Sequence, residues 1–335
     1  MRRVSAAAGA ALTLFALAAC GGGGSKGKPA ASPPAPPARC PLTGQLPAGH
    51  QDVSRPVLAV KIDNVDIARP QAGIDRADIV IEETVEGGLT RLFTVFQCDS
   101  APLIGPVRSA RTSDASLLRL FGHAAFGFSG ANPKALKPVQ ATSHAVLLSY
   151  DANGSLYHRD NSRPAPHNVF TSTQTLVDAA KKKDNSLKAP SPLFTYAAAV
   201  PAAAKPSTGV SLRWSPDASA AWSWSAGRWV RTQNGSPDVL VNHHRVGATN
   251  VILMRIKVKD TGIRDVVGNP SPDDVVTGSG QVWVLRDGKV ITGRWKRAGL
   301  DAPIALVDST GKTIPLAPGR TWIELLPPNA TLHLS

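Results

Sequence analysis

Apolar residues in this chain fall into short runs separated by turn residues, and the runs predict strands more often than helices. The runs 78–85 (DIVIEETV) and 89–97 (LTRLFTVFQ) flank Glu86-Gly87-Gly88, the pattern of two strands joined as a hairpin. If the first strand continues, Glu82, Thr84 and Glu86 share one face, and Ile79, Ile81, Glu83 and Val85 share the other, because side chains alternate with period 2. The run 55–64 (RPVLAVKIDN) reads as a buried strand ending in Asp63-Asn64, and 68–74 (ARPQAGI) as a loop or short helical turn. Gly105-Pro106 marks a turn. Segment 112–121 carries Leu117, Leu118 and Phe121 at helical spacing, with Ser113 or Asp114 as its cap. Ala124–Phe128 and Ala145–Tyr150 read as strands, and Asn132-Pro133 opens a short helix. Segment 171–183 predicts a helix with Leu176, Val177 and Ala180 inward and a lysine-rich end that suits the helix dipole. Strands alternating with helices imply a mixed α/β domain over 40–196.

The pattern then changes. All eight Phe residues lie at or before Phe194 and all seven Trp at or after Trp214. Between them 197–209 (AAAVPAAAKPSTG) reads as an Ala/Pro linker. Beyond it 251–258 alternates loosely, Asp287-Gly288 sits between two strand-like runs, and 321–326 gives a last strand. A smaller antiparallel β domain over 210–335 is expected. Its Trp residues read as core and cross-strand pairs, with a sugar-stacking platform as the sharper alternative.

The first twenty residues have the form of an export signal: Arg2 and Arg3, an apolar stretch from Ala6 to Leu17, then Leu17-Ala18-Ala19-Cys20. That ending resembles the lipobox of bacterial lipoproteins, which makes Cys20 the expected lipidation site. An ordinary secretory signal is the alternative. Residues 21–39 (GGGGSKGKPAASPPAPPAR) cannot bury a core and read as a tether. The expected location is the extracytoplasmic face of the cell membrane, with a lipid anchor. The net charge of +13, or +11 without Arg2 and Arg3, favours anionic neighbours such as lipid headgroups or wall polymers, and equally serves solubility. With no nucleic-acid-binding motif, an exported chain is not expected to bind nucleic acid. Cys40 and Cys98 remain once Cys20 is lipidated. In an oxidising compartment they can pair, and closing that loop would stabilise the fold by about 4 kcal/mol.

Several polar groups offer chemistry. Gly127-Phe128-Ser129-Gly130-Ala131 follows a predicted strand and is one step from a nucleophile elbow, with Asp160 and His167 completing a Ser–Asp–His order. A plain turn is the simpler reading. The stretch 157–168 (YHRDNSRPAPHN) places Arg159, Arg163, His167 and Asn168 on a loop suited to an anion or a sugar hydroxyl array, or else to its own internal hydrogen bonds. Glu82 and Glu86 could act as an acid/base pair, but four residues along a strand separates their Cβ atoms by about 13 Å. An ion-pair network with nearby arginines fits better. His243-His244 means little alone, and no spacing fits a metal motif.

Taken together, CPLTG, RPVLAVKIDN, ARPQAGIDRADIVIEETVEGGLTR, IGPVRSAR and RPAPHNVF resemble the YerB-like family of bacterial lipoproteins, long catalogued as a domain of unknown function. Gly293-Arg294-Trp295 and 318–322 (PGRTW) look like that family's C-terminal module. The resemblance covers nearly all of 40–330 and implies a mixed N-terminal domain, a β-rich C-terminal domain and a membrane-tethered life, without an established activity. On the family's recurring polar and glycine positions stand Asp63, Asn64, Arg69, Pro70, Glu82, Glu86, Gly87, Gly88, Arg91, Arg108, Ser109, Arg111, Arg159, Arg163, His167 and Asn168. Glu83 stands where a small residue is usual, so it is not expected in a shared site. Phe128 and Asn132 replace the family's histidine and a following position, so Ser129 is not a family serine.

The expected function is a lipoprotein that binds an anionic or carbohydrate envelope ligand. The ligand set is Arg91, Arg108, Ser109, Arg111, Arg159, Arg163, His167 and Asn168, with Arg108 and Arg111 near a helix N-terminus. Two alternatives are a hydrolase of wall glycan or phosphodiester using Glu82, Glu86 or His167, and a non-catalytic scaffold. No cofactor or metal is expected. The expected partners are the membrane, through the N-terminal lipid, and a wall polymer or envelope protein.

Overall fold

The computed structural model describes residues 37–141 and 144–335. The expected signal 1–20, Cys20 and most of the 21–39 tether lie outside the described residues.

Runs of apolar residues buried on both faces set the architecture. Leu58–Asp63, Ile79–Thr84 and Thr90–Phe96 are buried at every position, as strands become when both sides of a sheet are covered. They form the middle of one large mixed sheet. Its order runs Ala305–Asp308, Lys289–Arg297, Gly278–Arg286, Asn250–Arg255, Thr321–Leu326, Ile79–Thr84, Thr90–Phe96, Leu58–Asp63, Ala124–Phe128, Ala145–Ser149. Strands from before and after the Ala/Pro stretch therefore share one sheet. Their junction is the parallel pairing of Ile79–Thr84 with Thr321–Leu326. A second, antiparallel sheet is built from Gly209–Ser215, Ala218–Ser225, Arg228–Gln233, Thr331–Leu334 and two short flanking strands.

One face of the large sheet packs Leu58, Val60, Ile62 and Leu92 against Leu176, Val177 and Ala180 of helix Thr173–Lys183, and against Trp214, Trp222 and Trp229 of the second sheet. Leu176, Val177 and Ala180 thus face inward as their spacing predicts, and Ser172 caps the helix by accepting from the Thr175 amide. The other face packs Ala59, Ile81, Phe93 and Phe126 against Leu117, Leu118 and Phe121. Five of the seven Trp are buried in the core, and Trp224 and Trp283 are half-buried against it, as core and cross-strand pairs require.

The α/β expectation holds only loosely. The N-terminal part does contain a mixed sheet, but the described residues hold just three α-helices, Asp114–Leu118, Pro133–Ala141 and Thr173–Lys183. Much of the sheet is covered by a second sheet instead of helices. Cys40 and Cys98 are joined in a disulfide with Cα atoms 5.6 Å apart, which ties the start of the described chain to the end of the Thr90–Phe96 strand.

Candidate functional site

Antiparallel pairing of Leu58–Asp63 with Thr90–Phe96 sets Asp63 opposite Arg91. After Phe96 the chain returns in extended form and bridges back to Ile62 at Val107. This lays Arg108, Ser109 and Arg111 across the end of the same two strands. The buried Asp63 carboxylate is the hub. Its Oδ2 lies 2.8 Å from Arg108 Nε and 2.6 Å from His167 Nδ1. Arg91 donates to the Ser109 carbonyl at 3.0 Å. Arg111 forms a paired contact with Glu86 Oε2, at 2.7 Å from Nε and 2.6 Å from Nη2. Ser271, far off in the sequence, donates to the other Glu86 oxygen at 2.7 Å. Ser109 and Ser129 hydroxyls lie 3.3 Å apart. The side chains of Arg108, Arg111, Glu86 and His167 are recessed, at 12–17 % exposure, yet reach solvent.

Charge is distributed unevenly with depth. In the sealed layer Lys61 pairs with both Glu83 and Asp114, the latter at 2.6 Å, so acid is in excess. Burial lowers Lys61 to about 8, with Asp114 opposing. In the outer layer three guanidiniums share two carboxylates, so base is in excess. Burial, then Arg111 and Arg108, pull Arg91 down to about 9. Burial would raise Glu86, but Arg111 and Ser271 bring it below the ordinary glutamate value. Among the described residues, Arg108 pairs only through Nε and donates from neither terminal nitrogen to an acceptor, and His167 engages side chains through Nδ1 alone.

Several expectations are corrected by this geometry. Glu82 and Glu86 do not share a face. The strand ends at Thr84, and Glu86 begins a 3-10 turn in which Gly87 has φ +69°, so the period-2 alternation stops between them. Glu82 is sealed in the core on the opposite side from Glu83. It accepts from Asn64 Nδ2 at 2.9 Å, Thr90 Oγ1 at 2.7 Å and Arg231 at 2.5 Å, which removes it from any acid/base role at the surface. Glu83, set aside on sequence grounds, is a buried ion-pair partner of Lys61. Arg108 and Arg111 gain nothing from a helix terminus, since Asp114–Leu118 is a single turn and the Asp114 carboxylate already accepts from the Arg111 amide at 2.6 Å. Ser129 has no triad. Asp160 is occupied by Ser162 and Arg163, and His167 is oriented by Asp63.

The loop 157–168 divides between two tasks. His167 reaches the arginine cluster. Arg159, Arg163 and Asn168 brace the loop instead: Arg159 lies over Tyr150 and donates to Asn168 Oδ1 at 2.6 Å. Arg163 donates to the Ala68 and Pro70 carbonyls at 3.1 and 2.8 Å. Asp63, Ser129 and Ser271 join the site from outside the expected ligand set, although Asp63 stands on a recurring family position and Ser129 was weighed as a nucleophile. Asp63 had a signal in its position at the end of a buried strand, whereas nothing local to Ser271 points here.

A second polar cluster lies between the sheets. Arg231, fully buried, holds Glu82 and Asp238 and lies 3.9 Å from Glu324. Burial opposes its charge, but the three carboxyls outweigh that and raise Arg231. Burial and then Glu82 push Glu324 well above its usual value, and its Oε1 accepts from Trp222 Nε1 at 2.7 Å.

Comparison with known proteins agrees with the motifs. Residues 42–186 match the family model "Protein of unknown function (DUF3048) N-terminal domain", and 210–323 match the corresponding C-terminal domain. The chain is 30% identical over 291 residues to "Putative lipoprotein YerB" of Bacillus subtilis (strain 168), covering 86% of each chain. The crystal structure of YerB from Bacillus subtilis superposes with a TM-score of 0.76 at 28% identity, over 88% of this chain and 99% of that one.

Proposed function

We propose that this chain, which belongs to the DUF3048 family of proteins of unknown function, is an envelope lipoprotein that binds an anionic ligand through Arg91, Arg108 and Arg111. The observation that carries this reading is the surplus of positive charge in the outer layer, together with the unspent terminal nitrogens of Arg108. A buried or recessed guanidinium without a full set of acceptors is costly, and an oxyanion repairs the deficit with charge-assisted, bidentate hydrogen bonds. Ser109, Ser129 and the free ring nitrogen of His167 add neutral donors and acceptors that suit a phosphate ester or a uronate bearing hydroxyls. A hydrogen bond to a charged group contributes about 1.5–3 kcal/mol, so Arg108→Ala is expected to weaken such a ligand by roughly 10- to 150-fold. Calorimetric titration with glycerol 1-phosphate tests this. Unchanged affinity in the variant, or no heat with the native protein at low ionic strength, would overturn the reading.

The Asp63–His167 pair supports a second reading, an acid/base enzyme acting on the same anion. Asp63 holds Nδ1 and leaves Nε2 as the reacting nitrogen. Release of product from purified wall material, lost in His167→Gln with binding retained, distinguishes this enzyme from a pure binder.

A further inference from the structure

Among the described residues, Lys257–Arg264 and Pro270–Val275 form a two-stranded ribbon outside both large sheets. Its turn is firmly built. The Asp265 carboxylate accepts from the backbone amides of Val267 at 3.0 Å and Asn269 at 2.8 Å, and from the Asn269 side chain at 3.0 Å. At the apex stand Val266 and Val267, 103% and 77% exposed. Two consecutive aliphatic side chains held out at a fixed turn lose hydration free energy and return nothing to the fold.

The base of this ribbon is fastened to the arginine cluster. Ser271 holds Glu86, and a Cβ at Gly87 would meet the Asn269 side-chain Nδ2 at 3.5 Å. Val267 is two residues from Asn269, within about 7 Å of chain reach. An apolar tip and a cationic recess therefore lie side by side. Of the four acidic groups on the ribbon, Asp260 is paired with Arg264 at 3.0 Å, Asp273 is partly buried beside Lys259, Asp274 is buried and accepts from Thr84, and Asp265 accepts the hydrogen bonds that hold the turn. Exposed Lys257 and Lys259 offset acidic groups of the ribbon, so the positive charge beside the tip is that of the arginine recess.

We propose that this face docks on a bilayer of anionic phospholipid: Val266 and Val267 enter the boundary between headgroups and acyl chains, and the Arg91/Arg108/Arg111 recess takes a lipid phosphate. The inference rests on the anion site proposed above and names its ligand as the headgroup of a membrane lipid. Apolar insertion beside cationic side chains is the usual physics of interfacial binding, and each half strengthens the other. The tether would keep the domain within reach of such a surface.

The test uses the lipidated full-length protein in vesicles, with an environment-sensitive fluorophore on Val267→Cys and, as control, on Thr310→Cys in the remote turn between Asp308 and Lys312. In vesicles containing phosphatidylglycerol, a nitroxide-bearing lipid is expected to quench the probe at 267 about threefold more than the probe at 310. Val266→Asp or Arg108→Ala is expected to reduce this to the control level. Quenching at 267 equal to that at 310, or equal in uncharged phosphatidylcholine, overturns the inference. Glycerol 1-phosphate titration separates the two claims. Binding without quenching leaves the anion site standing and removes the membrane, whereas loss of both removes both.

Discussion

Replacing Arg231 by Met removes the cation that Glu82 and Asp238 share and keeps most of the side-chain volume. Glu82 and Asp238 would then face each other and Glu324 in a site with no exposed side-chain surface beyond a few per cent at Asp238. Breaking a buried pair by deleting one partner costs about 3–5 kcal/mol. An entropy of unfolding of ~2.1 cal/mol/K per residue over about 300 residues gives ~0.63 kcal/mol per degree, so the expected drop in Tm is about 5–8 °C. The loss also depends on pH in a fixed direction. Without Arg231 the stranded carboxyls have folded pKa values above their unfolded ones, so the folded state takes up protons, and stability falls as pH rises from about 4 through those values. Differential scanning calorimetry at pH 5 and pH 8 should therefore show the smaller deficit at pH 5. The triple variant with Glu82→Gln and Asp238→Asn should recover most of the loss. A deficit below about 1 kcal/mol, or one independent of pH, would refute the assignment of Arg231 as the keystone between the sheets.

Three further outcomes follow from the same structure. Reducing the Cys40–Cys98 disulfide, or Cys98→Ala, should lower the free energy of unfolding by about 4 kcal/mol, read by denaturant titration with and without reductant. Burial pushes Asp78 up to about 7 against the hydrogen bonds from the Gln97 and Cys98 amides. Its contribution is thus full below the unfolded aspartate pKa and lost as pH rises to about 7, so Asp78→Asn should flatten the pH dependence of Tm across that window. Lys61→Met leaves Glu83 and Asp114 buried without their shared cation, and should cost about 3–5 kcal/mol while leaving anion affinity within a few-fold of native.

The strand pair around Glu86-Gly87-Gly88, the buried strand ending in Asp63 and the inward face of helix Thr173–Lys183 could all be read from local periodicity, because each is fixed by residues near in sequence. The site was legible where its parts are local or carry a recognisable motif: Arg91, Arg108, Ser109, Arg111 and His167 do come together. Glu82 misled because period 2 was extended past the point where a glycine turn begins, and because its partner Arg231 lies 149 residues away. Glu83 was set aside because a small residue is usual at its place in the family, and nothing in the sequence pairs Lys61 with a strand on the far side of its neighbour. The pairing of Ile79–Thr84 with Thr321–Leu326 had no signal either, as a parallel pairing across some 240 residues leaves no turn to announce it. That pairing brings the C-terminal half beside the site and so supplies Ser271.

The central claim is that an oxyanion sits among Arg91, Arg108, Arg111 and the free nitrogen of His167. Side-chain 15N NMR of His167 during titration with glycerol 1-phosphate reports on that position directly. A saturable shift is expected at Nε2, with Nδ1 held by Asp63 throughout and the response abolished in Arg108→Ala. A His167 spectrum unmoved at saturating ligand, or a response that survives Arg108→Ala, would contradict it.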